Sequence, residues 1–538
     1  MERRPVERVR GTQDFWPVEA QQLEEVRRRL EETFALFGYR RLDLPVLETA
    51  ELHLRKSGLD IISKLYAFDD QGGRRLCLRP EVTASVVRAC ISQPPPRLPL
   101  KVFSSGAVFR YERPSRGRYR QFTHADVELI GAHGTLADGE LIFMAMDAVD
   151  RLGLAEYRVT VGHVGILAQL LTQLGLSGRL RTVLLDSLEE ARRQGLAAVR
   201  AQLRELDPDL FESHGPTDHA AGPAAPDEPG DDAALAAPRD GRAGQDGQRG
   251  EIGEAGVRQA AAGLLSQLGA SSLGRRSEEE IVSRLLHRMR TGSQQEAVER
   301  ALGFIAQLGA IRGAPAAVLD AGRELLHAYG LGDEPLTELE ATMHHLSAFG
   351  ADLRKVELDL GLSRGLQYYT GMVFELHHAG LGSETQLCGG GRYDDLFRAL
   401  GSRQSIPAAG FAFGAERVKL ALAAEGKLAA SAAVADLLVV PAAPAFDGYA
   451  ARVAQAVRRC GCRAELDVAG RTLRATLAYA DREGYPQVIV VGEAEQRDGT
   501  VRLRAMASGT ERIIPLAELA AALTDLPAAA HHGGTENR

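Results

Sequence analysis

The sequence is poor in cysteine, tryptophan and long apolar runs. Its 538 residues include one tryptophan and five cysteines, Cys77, Cys90, Cys388, Cys460 and Cys462. So few thiols at irregular spacing exclude a disulfide framework and the paired C-x-x-C of a zinc site, and predict reduced, mostly buried side chains. No stretch approaches the roughly 18 uninterrupted apolar residues that would span a bilayer. The charged opening, residues 1–10, is not followed by an apolar block with a cleavage site, so cytoplasmic residence with no membrane partner is expected. A Walker-type glycine loop and a dinucleotide-binding G-x-G-x-x-G fingerprint are also missing, which removes the two nucleotide folds most easily read from sequence.

What is present is a long chain with unevenly placed charge. At this length, 45% apolar and 25% charged, three or four folding units are expected. The net charge of −8 is concentrated in residues 205–257, where 13 acidic and 3 basic side chains leave +2 for the rest. That segment is rich in Gly, Pro, Ala and Asp and nearly devoid of aromatics, so it cannot bury enough apolar surface to offset the entropy of ordering it. It reads as a disordered acidic insertion. Upstream, Val18, Leu23, Val26, Leu30, Phe34 and Phe37 recur at helical spacing, with Gly38 as a stop. Short apolar runs at 76–78, 101–103, 107–111, 125–130, 157–161, 355–360 and 372–377 have the β-branched content and alternation of an antiparallel sheet. Ala/Leu-rich helical stretches are expected near 136–152, 163–175, 257–268, 277–290, 294–308 and 315–329. Strands at 435–441, 464–468 and 487–492 alternate with helices at 444–460 and 473–482, the rhythm of βαβ crossovers and a mainly parallel sheet.

The expected architecture is an α+β core built on an antiparallel sheet flanked by helices, in two parts at 1–204 and 346–433. Between them lie the insertion 205–257 and a helical subdomain at 258–345. A separate α/β domain follows at 434–526, then a flexible tail at 527–538. The α/β domain carries 11 Arg and 12 acidic residues but no Lys, so RNA contact there would need a local patch.

Charged groups crowd into segments that otherwise read as buried strand. Arg110, Arg113, Arg116, Arg118 and Arg120 fall within eleven residues, between a strand and its successor near Phe122. Such guanidiniums repel one another unless an anion lies among them, and their planar forks suit phosphate oxygens. The alternative is a solvated basic hairpin. In Leu78-Arg-Pro-Glu-Val-Thr83 a carboxylate and a hydroxyl sit in a turn where an ammonium could be received. Glu128 lies within a strand, where an unpaired carboxylate facing a core is costly, so it either faces solvent or meets a polar partner. Gly361-Leu-Ser-Arg-Gly-Leu-Gln-Tyr-Tyr-Thr-Gly371, Cys388-Gly-Gly-Gly-Arg-Tyr-Asp394 and Gly410-Phe-Ala-Phe-Gly-Ala-Glu-Arg417 add cations and glycines that let a ligand approach the backbone.

These segments, together with Arg10-Gly-Thr-Gln-Asp14 and the helix and strand ending at Pro45, resemble the class II aminoacyl-tRNA synthetases, and within them the histidyl-tRNA synthetase family. The resemblance covers nearly everything except 205–257 and the tail. It implies an aminoacyl-tRNA ligase with ATP, L-histidine and tRNA(His) as substrates, Mg²⁺ accompanying ATP without dedicated protein ligands, and a homodimer. Arg110 would hold the α-phosphate, with Glu112 near the adenine, Phe122 stacked on it and Arg417 beneath the nucleotide. Glu81 and Thr83 would take the amino group of histidine. Glu128 and Tyr369 would grip its imidazole, with His124 and Tyr368 completing the amino-acid site. Arg364, with Arg110, would stabilise charge at the α-phosphate during attack. The last domain resembles the family's anticodon-binding domain in Val468-Ala-Gly-Arg-Thr-Leu473 and Tyr479-Ala-Asp481.

The chain departs from that family at two positions. His124 stands where Gln is usual, and Gln367 where Asp is usual. A second reading is therefore the histidine-sensing, non-catalytic regulatory subunit of ATP phosphoribosyltransferase, which shares the core. Retention of Arg110, Glu112, Arg364 and Arg417 and of the C-terminal domain favours the enzyme.

Overall fold

The computed structural model describes residues 6–57, 59–176, 178–207, 278–362, 368–382, 385–428 and 435–524. They form two compact units, divided after Leu428. The insertion 205–257 lies outside the described residues beyond 207, as do the helix expected at 257–268 and the tail.

In the first unit the opening helix runs Pro17–Leu36, with proline at its first turn and Val26, Leu30 and Phe34 buried. Each fully buried Leu or Phe contributes about 1.5–3 kcal/mol. Gly38, at φ 82°, lets the chain leave the helix, and the amide of Tyr39 donates back to the carbonyl of Phe34.

Twelve strands follow: β1 (Arg40–Arg41), β2 (Leu47–Thr49), β3 (Tyr66–Asp69), β4 (Arg75–Leu78), β5 (Leu100–Phe109), β6 (Gln121–Ile130), β7 (Tyr157–His163), β8 (Arg312–Gly313), β9 (Val356–Asp359), β10 (Met372–His378), β11 (Gln386–Arg392) and β12 (Ala408–Gly414). Nine of them make one sheet in the order β1, β5, β6, β12, β11, β10, β7, β9, β8, while β2, β4 and β3 make a small one. The large sheet is antiparallel except for the β1/β5 and β7/β9 pairs. The runs expected at 101–103 and 107–111 are one strand, β5, because its backbone stays paired with β6 through the polar Ser104-Ser105-Gly106.

The opening helix packs against helices Thr135–Arg151 and Ala415–Ala424. Phe34 from the helix, Phe103 from β5, and Phe411 and Phe413 from β12 form an aromatic cluster beneath the sheet. Helices Gly178–Gln194 and Leu196–Leu206 were not anticipated, and the first packs on Glu278–Ala310. That last helix is continuous where two were expected. Helical elements from both sides of the undescribed 208–277 stretch thus pack together.

The second unit contains β13 (Leu437–Pro441), β14 (Ala464–Leu466), β15 (Gln487–Val491), β16 (Thr500–Ala505) and β17 (Glu511–Pro515), in the order β14, β13, β15, β16, β17. The three expected strands are parallel; the last two form an antiparallel hairpin that sequence reading missed.

Candidate active site

Strand periodicity decides which side chains of β6 meet a ligand. Ala125, Val127 and Leu129 face the helix-covered core, so Phe122, His124, Asp126 and Glu128 point to the opposite face. On that face lies a cavity of about 530 Å³ lined by, among others, Glu81, Thr83, Arg110, Glu112, Phe122, His124, Tyr368, Tyr369 and Arg417. Nine of the side chains expected from the sequence therefore share one hollow. Arg364 and Gln367 lie outside the described residues.

Glu128 sits under this hollow, 2% exposed. It has room because its partner across the ladder is Gly410, where a Cβ would stand 2.0 Å from the carboxylate. Tyr393 donates its hydroxyl to Glu128, and the Thr83 side chain also hydrogen-bonds it. Burial, reinforced by the charge of Asp126, outweighs those hydrogen bonds and the charge of Lys56, and pushes Glu128 up to about 8. A protonated carboxyl offers one donor and one acceptor, the complement of a neutral imidazole. The aromatic wall beside it is built from Tyr368 and Tyr369, whose hydroxyls are 3.2 Å apart, and from Tyr393.

Glu81 is held by partners that sequence reading missed. Lys56 Nζ is 2.6 Å from one of its oxygens, and His53 Nδ1 is 3.4 Å from the other. The latter oxygen also accepts the Ala84 amide at the start of helix Thr83–Ser92. Burial alone raises the Glu81 carboxyl, but the Lys56 charge and the His53 hydrogen bond prevail and hold it well below the usual carboxylate range. Lys56 also lies 4.0 Å from the centre of the Tyr368 ring. No local pattern on helix Ala50–Ser57 announces these contacts.

The outer part of the cavity is cationic. Arg110 donates to the Pro80 carbonyl at 3.0 Å, and its guanidinium carbon stands 5.3 Å from the centre of the Phe122 ring. Arg417 donates to the carbonyls of Gly117 and Gln386 at 2.9 and 3.0 Å, so one guanidinium ties the 110–120 loop to β11. Glu112 accepts from Arg118 Nε at 2.7 Å. Burial raises Glu112, yet the Arg118 hydrogen bond and the charges of Arg110, Arg118 and Lys64 leave it below the ordinary value. Glu416 accepts the Thr123 amide at 2.8 Å and pins the start of β6. The 110–120 loop is therefore only partly the solvated basic hairpin considered above. Arg110 and Arg118 line the cavity, whereas Arg120 donates to the carbonyls of Arg10 and Glu112 and lies over Tyr111.

His124 directs Nδ1 to Asp126 at 3.2 Å and stands edge-on to Phe122. Gly389 and Gly410 bare the backbone along the cavity. Gly390, opposite Phe411 on the core face, serves strand packing instead: its Cβ would lie 2.2 Å from the Gly410 carbonyl oxygen.

A cavity lined by cations, carboxylates, paired tyrosines and bare glycine backbone, with a buried carboxyl behind it, suits a small amino acid joined to a polyphosphate. The family model described as histidyl-tRNA synthetase matches residues 11–222 and 253–418. The chain belongs to the histidyl-tRNA synthetase family. A second family model, an anticodon-binding domain, matches residues 436–526. Among relatives, the histidine-tRNA ligase of Methanocaldococcus jannaschii is 29% identical, the match covering 95% of this chain and 98% of that one. That of Methanosphaerula palustris is 31% identical over 95% and 97%. Among solved structures, apo histidyl-tRNA synthetase from S. aureus superposes with TM-score 0.60 at 22% identity, covering 96% of this chain and 99% of its own. A histidyl-tRNA synthetase from Nostoc gives 0.62 at 17%, covering 97% and 99%. These likenesses establish the synthetase core with its C-terminal α/β domain.

Proposed function

We propose that the cavity joins L-histidine to ATP as histidyl-adenylate and that a terminal ribose hydroxyl of tRNA(His) then takes the acyl group as the acyl–phosphate bond breaks and AMP leaves. A histidine carboxylate oxygen attacks the α-phosphorus, a new P–O bond forms as the bond to the β-phosphate bridge breaks, and pyrophosphate leaves. The imidazole lies between Glu128 and Tyr369, and the ammonium meets Glu81 and Thr83. His124, oriented by Asp126, and Tyr368 close the amino-acid side. Phe122 stacks on the adenine near Glu112, Arg417 lies beneath the nucleotide, and Arg110 takes the α-phosphate. Arg364 is assigned with Arg110 to the charge that builds during attack, on the family motif alone. Fixed guanidiniums aimed at developing charge are effective because they need no reorganisation in the transition state.

Magnesium is part of this proposal. Among the described residues no group of three or more His, Cys, Asp or Glu converges as a metal site. The donors fit an ion carried by phosphate oxygens and water: the carboxylates lining the same cavity have partners of their own, Glu375 bonding His377 and Gln386 and Glu416 accepting the Thr123 amide. Bound there, Mg²⁺ would neutralise charge on the leaving pyrophosphate. The second unit would read the RNA. A homodimer is proposed on the first-motif resemblance near residues 17–45, around which Leu36, Val46 and Leu47 remain exposed. No described helix is long and apolar enough to cross a membrane.

The observation that carries the reading is one cavity lined by Glu81, Thr83 and the tyrosine pair together with Arg110 and Arg417, with Glu128 buried directly behind the lining residues Tyr393 and Gly410. The regulatory reading is not favoured: residues 436–526 match an anticodon-binding domain, and relatives over 95% of the chain are ligases. Pyrophosphate exchange into ATP separates the two. Exchange is expected with histidine and not with other amino acids. Its absence, with histidine-dependent inhibition of a phosphoribosyltransferase instead, would reverse the assignment.

A further inference from the structure

One wall of the cavity is held from outside the sheet. Asp359 ends β9, and its carboxylate does two things at once. One oxygen accepts the Gly361 amide at 3.0 Å, fixing the turn that leaves the strand. Both oxygens receive the guanidinium of Arg192, Oδ2 at 2.8 Å from Nη1 and Oδ1 from Nη2. Arg192 belongs to helix Gly178–Gln194, far away in sequence, and also reaches the Gly309 carbonyl near the end of helix Glu278–Ala310 at 3.4 Å. The Asp359 side chain is 5% exposed and that of Arg192 32%. A planar fork on a buried carboxylate is a rigid joint, and a lysine cannot reproduce it.

The joint leaves no slack. A Cβ on Gly361 would lie 2.6 Å from Arg192 Nη2 and 2.7 Å from the Gly309 Cα, and one on Gly162 of β7 would lie 2.6 Å from the Asp359 carbonyl oxygen. Leu362 then donates its amide back to Asp359 O, and Leu360 donates to Ile311 O. Arg192, Gly361 and Leu362 all line the same cavity as Arg110 and Tyr368. The short segment from Asp359 to Leu362 is therefore a wall of the site, clamped between the sheet and two helices.

We propose that Arg192 is a positioning residue, which holds the Asp359–Leu362 wall so that the inserted helices help to shape the cavity. This rests on the catalytic reading only for its kinetic consequence. The charge of Arg192 is spent on Asp359, so its effect is geometric. A shift of about 1 Å in a wall that places reactants can cost as much as roughly a hundredfold in rate.

Two measurements on the full chain test the proposal. In Arg192→Met, hydrogen exchange of peptides covering residues 356–362 should quicken while peptides from β5 and β6 remain protected. Histidine-dependent pyrophosphate exchange should fall roughly tenfold to a hundredfold in kcat, with much smaller changes in KM. Arg192→Lys should recover only part of the loss, and millimolar guanidinium, against matched sodium chloride, should restore turnover to Arg192→Ala. Unchanged protection at 356–362 would overturn the proposal. So would protection lost evenly over the unit, which would make Arg192 a general folding contact, or full turnover in Arg192→Met. If the wild type itself shows no histidine-dependent exchange, the catalytic reading fails, while the hydrogen-exchange comparison still decides what Arg192 holds.

Discussion

Glu128 shows how one buried group links sequence, stability and chemistry. Its place in a strand left two outcomes, solvent or a specific polar partner, because a carboxylate cannot face a core alone, and the structure shows the second. Which partner could not be foreseen, since Tyr393 arrives from beyond β11 and Thr83 from a helix start. A group held at about 8 in the folded chain and near 4.5 unfolded keeps its proton when folded but releases it when unfolded. Below pH 4.5 both states are protonated and nothing is lost. Between about 4.5 and about 8 the folded state therefore loses roughly 1.4 kcal/mol per pH unit, and the loss levels off above that window. Glu128→Gln stays neutral throughout and still accepts from Tyr393. Urea unfolding of both proteins at pH 5 and pH 8 should show the variant gaining stability over wild type at the higher pH, with little difference at the lower. A difference independent of pH would mean that Glu128 is ionised in the folded chain. Lys56 and Arg192 were illegible for another reason: each acts through a partner distant in sequence, and neither occupies a local pattern.

At the scale of elements, the site depends as much on missing side chains as on charged ones. The glycines at 389–391 and at 410 and 414 could be read from the residues, although residues 386–392 were not expected to be a strand, and the structure gives them a purpose. Gly410 is the vacancy into which Glu128 fits, and Gly390 lets β11 and β12 lie close. Sequence reading misjudged β5, because Ser104-Ser105-Gly106 looks like a break. There Gly106 instead makes room for the buried Arg79, whose Nη2 would be 2.8 Å from a Cβ. Gly410→Ala should be severe. Its Cβ would stand 2.0 Å from Glu128 and 2.4 Å from the Val127 carbonyl oxygen, both in a paired strand that cannot yield cheaply. Overpacking of this sort costs about 1–3 kcal/mol. A lowered melting temperature and loss of histidine-dependent exchange are expected. Gly178→Ala, with open space around it, serves as the control and should change neither. A Gly410→Ala protein that melts and exchanges normally would show that the β6/β12 ladder has slack.

The whole molecule divides the work between two units, each with its own core. In β13, Leu437 and Val439 join one apolar cluster with Tyr449 and Val453, while Leu438 and Val440 join another with Ala480 and Tyr485. Both faces of that strand are covered, as parallel strands require, and this double burial is why residues 437–440 read as an unbroken apolar run. The antiparallel hairpin of β16 and β17 went unread although Val501 and Leu503 alternate with Arg502 and Arg504, which pair with Glu511 across the strands. All described residues lining the active-site cavity belong to the first unit. A fragment ending at Leu428 should therefore retain histidine-dependent pyrophosphate exchange comparable to that of the full chain. Charging of tRNA(His) by that fragment should fall roughly tenfold or more, corresponding to at least about 1.4 kcal/mol of lost RNA contact. Assaying both reactions on the same preparation separates the alternatives. Loss of exchange would mean that the second unit completes the first, and undiminished charging would mean that the first unit alone recognises the RNA.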